Sequence, residues 1–73
     1  MTPKEFGAIV RNTRLAQGLR QDQLAAAAGV GVRFLIELEA GKPTAQLGKA
    51  LQVTDALGCR VRIEAPGPVV KDK

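Results

Sequence analysis

The chain has 73 residues, 11 of them basic and 7 acidic, for a net charge of +4 and a pI near 9.9. That length makes one domain, which buries roughly 60–65% of its unfolded surface and gains from association with a second copy. The lone Cys59 excludes an intrachain disulfide scaffold, and with no His, Trp or Tyr there is neither a familiar nucleophile–base pair nor an exposed aromatic platform for stacking single strands.

The first predicted helix spans about residues 3–17. Thr2 can cap it, Pro3 suits its first position, and Glu5 completes a T-x-x-E capping box. Phe6, Ile9, Val10 and Thr13 follow at helical spacing and give one apolar face, flanked by Arg11 and Arg14. Gly18 is the expected left-handed end. Leu19 then links into a second helix, about 21–28. Arg20 falls at its cap position, where Ser, Thr, Asp or Asn would be worth about 1 kcal/mol. Two readings of Arg20 stand: it faces a phosphate, or it is an ordinary solvated arginine. Gln21 opens the helix and can donate to a phosphate there.

Leu24, Ala25 and Ala28 point inward from the second helix, and Leu35 and Leu38 from a third, about 32–40. Ala25 and Ala28 are small enough for the two helices to cross closely, Gly29 provides the turn, and Val30 fills the angle. That pattern is a helix-turn-helix, which lays its second helix in the DNA major groove. Gly31 begins that helix. Val32, Arg33, Ile36 and Glu37 lie opposite Leu35 and Leu38, with Phe34 at the edge. Gly41 ends it, and Lys42-Pro43 leads away.

A fourth helix, about 45–57, is expected to be capped by Thr44, with Leu47, Ala50, Leu51, Thr54 and Leu57 inward and Gly58 as its stop. The period then changes. Cys59, Val61 and Ile63 alternate with Arg60, Arg62 and Glu64, which predicts a half-buried strand over 59–65. Nothing else in the chain reads as a strand, so its backbone groups need a partner from outside. Antiparallel pairing with the same strand of a second copy predicts a homodimer; the competing reading is an irregular tail. Residues 66–73, after Ala65-Pro66-Gly67-Pro68, read as a disordered tail. The domain organisation is therefore a DNA-binding unit over 1–58, a dimerisation strand and a tail. No apolar run approaches the ~20 residues of a bilayer span, and Met1-Thr2-Pro3-Lys4-Glu5 lacks a signal-peptide shape, so a cytoplasmic protein is expected.

Gly18-Leu19-x-Gln21-x-x-Leu24-Ala25, followed by Gly29-Val30 and Leu38-Glu39-x-Gly41-Lys42, resembles the lambda-repressor-like (Cro/C1, XRE) helix-turn-helix family over about residues 5 to 57. A fourth helix running into a terminal strand resembles the HipB-type antitoxin branch. The resemblance implies a mainly α, four-helix DNA-binding domain with one C-terminal strand paired across a homodimer. It also implies repression of its own operon and neutralisation of a HipA-like kinase toxin.

The resemblance further implies that Gln21 and the neighbouring Arg20 face phosphates, that Gly31, Val32, Arg33 and Glu37 face base edges, and that Lys42 contacts the DNA backbone. Arg14 and Glu39 match a partly buried salt bridge, read as scaffold. Gly31 and Val32 replace polar readers and cannot hydrogen-bond a base. Arg33 is then the candidate for a bidentate guanine contact. Val32 and Ile36 can touch a thymine methyl. Glu37 can accept from a cytosine amino group, hold Arg33 in place, or repel phosphate.

The expected partner is an inverted-repeat duplex operator, bound without a metal or cofactor. A protein-interaction module with minor DNA binding is the rival reading, favoured by the apolar positions 31, 32 and 36. An enzyme reading has only Cys59 to rest on, and a packed cysteine explains that residue better.

Overall fold

The computed structural model describes residues 1–67. Four helices follow one another: α1 (Pro3–Ala16), α2 (Gln21–Ala28), α3 (Val32–Glu39) and α4 (Leu47–Ala56). The α1 start is fixed as its sequence suggests. Thr2 Oγ1 accepts from the Glu5 N–H at 3.1 Å, and Glu5 Oε1 accepts from the Thr2 N–H at 2.8 Å. At the other end, Gln17 Nε2 donates to the Leu57 carbonyl at 2.8 Å, tying the last turn of α1 to the end of α4.

The core forms where α3 packs on α1 and α2, and α4 on α2. Val10, Leu24, Leu35 and Val53 are its fully buried large side chains, joined by Ala25, Ala28, Leu38, Ala50 and Leu57. Alanines at 25 and 28 keep α2 close to its neighbours. Gly29 ends α2 at φ 71°, a conformation a Cβ would strain, and the Val30 N–H closes back on the Ala25 carbonyl at 3.0 Å. Val30 is half-buried against the core, in the angle between α2 and α3.

Several sequence expectations are corrected. Helix α4 starts at Leu47, and its N-cap is Gln46 without a side-chain bond; Thr44 lies in the preceding turn and caps nothing. Its buried face is Ala50, Val53, Thr54 and Leu57, while Leu47 and Leu51 are 70% and 40% exposed. At about 100° per residue, Leu51 sits roughly a quarter-turn round from Ala50, and small Ala50 lets α4 approach with Val53 inward. Ile9 is exposed for a similar reason: α1 turns Gly7, Val10 and Arg14 inward.

The expected strand at 59–65 is also absent: the described residues contain no strand. The Cys59 N–H closes α4 by donating to the Thr54 carbonyl at 2.9 Å, and the residues beyond it find no backbone partner among the described residues. The physical reason is the one that raised the question of a second copy, since a strand is defined by pairing. Cys59 is half-buried, Val61 and Ile63 stay exposed, and Arg62 pairs with Glu64 at 3.5 Å. Pro66 and Gly67 form a bend; the rest of the expected tail, 68–73, lies outside the described residues.

Candidate nucleic-acid interface

The site is built on α3, whose two faces differ sharply. Leu35 and Leu38 face the core. Val32 and Ile36 are 40% and 46% exposed on the other side, with Arg33 exposed and Glu37 half-buried. Gly31 caps α3 in an extended conformation and offers no side chain, so the first turn of α3 presents bare backbone and Val32. Among the described residues the Arg33 guanidinium makes no ion pair, unlike Arg14, Arg20 and Lys42.

Beyond α3 the chain folds back. The Lys42 N–H donates to the Glu37 carbonyl at 3.0 Å and the Gly41 N–H to the Leu38 carbonyl at 3.0 Å, the two bonds of a Schellman end, with Gly41 at φ 89°. This returns Lys42 over the last turn, where its Nζ lies 3.1 Å from Glu37 Oε1. Arg33, Glu37, Lys42, Thr44 and Gln46 line one shallow groove. Lys49 lies 5.8 Å above the Phe34 ring, within cation–π range, on the rim of the same region. Sequence reasoning did not single out Thr44, Gln46 or Lys49 for this face, because their approach depends on how the α3–α4 turn folds.

At the start of α2 the structure adds partners that the sequence did not announce. Arg20 gives no side-chain cap. Instead Gln23 Oε1 accepts from the Arg20 N–H at 2.9 Å, half of a capping box whose other half an arginine cannot supply. The Arg20 guanidinium turns to Asp22, with Nε 3.1 Å from Oδ1, and this bond holds the Asp22 carboxyl below its ordinary pKa. A Gln three residues after the cap was a readable signal, obscured because residue 20 is not Ser or Thr.

Gln21 is more tightly held than a free phosphate contact would be. Its Nε2 donates to Glu39 Oε1 at 3.0 Å. The same carboxylate receives Arg14 twice, Nε to Oε2 at 2.7 Å and Nη2 to Oε1 at 3.1 Å, and Arg14 Nη1 reaches the Leu19 carbonyl at 2.8 Å. The pair is buried, with side chains 9% and 4% exposed. Hydrogen bonding to Glu39 pushes the Arg14 pKa up, so the guanidinium stays charged. One network thus joins α1, the α1–α2 turn, the first residue of α2 and the last of α3. It leaves Gln21 one amide hydrogen for an outside acceptor.

A family model described as helix-turn-helix matches residues 10–63. The chain belongs to the helix-turn-helix family. The match spans α2, the Gly29 turn and α3, together with α4 and the second half of α1. This helix-turn-helix chain is also similar to an uncharacterized HTH-type transcriptional regulator, y4mF, of Sinorhizobium fredii. The two are 62% identical over 66 residues, 90% of this chain and 87% of the relative. In the motif the second helix, here α3, is the one that enters the major groove. No helix among the described residues is long and apolar enough to cross a membrane, and no three or more His, Cys, Asp or Glu side chains there are grouped so as to hold a metal ion.

Proposed function

We propose that the chain is a sequence-specific duplex-DNA-binding transcriptional repressor that acts as a homodimer and as the antitoxin of a HipA-like kinase. The observation that carries the DNA reading is the outer face of α3, where Arg33, without an ion pair among the described residues, stands beside Val32 and Ile36 on the helix that the family places in the major groove. Arg33 reads a guanine through its paired donors. Val32 and Ile36 meet thymine methyls. Arg20, Gln21 and Lys42 set the register on the phosphates. The name of the S. fredii relative supports a role in transcription.

The homodimer reading is supported by apolar surface on the side where the chain leaves α4. Met1, Phe6, Ile9, Val61 and Ile63 line one groove, and Leu51 and Val61 line its neighbour. Ile63 is 94% exposed on a segment with no backbone partner among the described residues. Pairing of residues 59–64 with those of a second copy satisfies these backbone groups and covers the grooves. The kinase partner is supported by the resemblance to HipB-type antitoxins.

Arg33→Ala is expected to weaken binding to the operator by about 1–3 kcal/mol, roughly five- to 150-fold, and to relax the preference at one base pair in each half-site. Titration of matched and base-substituted duplexes measures both. Unchanged affinity and preference would remove Arg33 as the reader. The exposed Val32 and Ile36 favour a second reading, a protein-interaction module. Binding to a kinase with no salt-sensitive DNA complex would establish that one instead.

A further inference from the structure

Three of the cations on the face assigned to DNA, Arg20, Arg33 and Lys42, are not equivalent. Arg20 and Lys42, the two assigned to phosphates, each carry a carboxylate at 3.1 Å, Asp22 and Glu37 respectively. Arg33, assigned to bases, has no such partner among the described residues. Nor are the pairs chance meetings of long side chains. Lys42 is returned onto Glu37 by the backbone bonds of the Schellman end, and the Arg20 backbone is fixed by Gln23 while its guanidinium meets Asp22 with two nitrogens, at 3.1 and 3.5 Å.

We propose that Asp22 and Glu37 limit sequence-independent DNA binding by holding the phosphate-facing cations Arg20 and Lys42 in internal ion pairs. The inference rests on the duplex-DNA reading above. Affinity for arbitrary duplex comes almost wholly from cations displacing counterions condensed on phosphates. A cation already neutralised by a fixed carboxylate displaces fewer of them, and the carboxylate itself meets the phosphate as a like charge. The pairs are solvent-exposed and worth little to folding, so their consequence is felt at the approaching polyanion. Arg33 lies outside this restraint and keeps its donors for base edges. A small basic chain with a net charge of +4 must find few operators among a great excess of other sites, so lowering the background raises occupancy of the operator.

The test uses the full chain and its Asp22→Asn and Glu37→Gln variants, titrated with a random-sequence duplex and with a selected operator between about 50 and 200 mM salt. Each substitution is expected to raise random-duplex affinity about three- to tenfold near 100 mM and to steepen the log–log salt slope by about 0.9 per protomer, or about 1.8 for a bound dimer. Both side chains reach solvent and both changes keep their shape, so thermal melting is expected to match the parent. Random-duplex affinity and slope equal to the parent's would overturn the inference. So would a Glu37→Gln variant that loses operator affinity while its random-duplex affinity stays put, since Glu37 would then be a base reader. If the parent itself binds neither duplex, the DNA reading falls and takes this inference with it.

Discussion

Glu39→Ala is expected to cost about 3–5 kcal/mol of folding stability, measured as the shift in denaturant unfolding. A domain of 73 residues holds only about 4–11 kcal/mol in total, so the loss would remove from roughly a quarter to all of it. The loss comes less from the missing attraction than from what remains. Arg14 would stay buried with its charge, having lost two of the three hydrogen bonds it makes to Glu39 and Leu19. Gln21 would lose the acceptor of its amide. Replacing both partners by apolar residues, Arg14→Met with Glu39→Leu, is expected to recover at least half of the loss, because no unpaired charge is left inside. A single-variant loss below about 1 kcal/mol would show that the pair behaves as a surface one.

Gly7→Ala is expected to destabilise the fold by about 1–3 kcal/mol, although alanine is the better helix former by about 1 kcal/mol. A Cβ on Gly7 would collide with the Leu38 carbonyl oxygen and come within 2.7 Å of the Glu39 carbonyl oxygen. Both obstacles are backbone, so neither can rotate away. Helices α1 and α3 would have to separate, and Glu39 would be drawn off Arg14 in the process. Gly48→Ala is the control. Gly48 lies in α4 with open space around its missing Cβ, and the same change there is expected to gain up to about 1 kcal/mol. Equal effects at the two positions would contradict the close approach of α1 to α3.

These two substitutions also mark where the sequence was readable. The α1 start, the turn at Gly29 and the inward Leu24, Leu35 and Leu38 follow from local rules, namely a capping box, a left-handed glycine and a 3.6-residue period. Gly7 was not singled out, because only the path of α3 across α1 explains it. An isolated glycine on the inner face of a well-capped helix was nevertheless a usable hint. The stripe of α4 was misplaced toward Leu47 and Leu51 because apolar side chains surround most of that helix, and the period alone does not choose among them. At the candidate site, the outward position of Arg33 and the place of Lys42 just beyond α3 were visible from the helical period and the Gly41 stop. The internal partners of Gln21, Arg20 and Lys42 were not, since Glu39 lies 18 residues from Gln21 and the Lys42 pairing depends on the Schellman turn. The alternation at Cys59, Val61 and Ile63 predicts a strand by period alone, and among the described residues it meets nothing to pair with and forms none.

The most direct measurement is selection of duplexes from a random pool by the purified chain. A homodimer placing residues 31–37 of each copy in successive major grooves should enrich an inverted repeat, its half-sites about one helical turn apart, with a preferred guanine in each that Arg33→Ala no longer selects. A pool that emerges unenriched, or enriched for a single unsymmetrical site, would contradict the account.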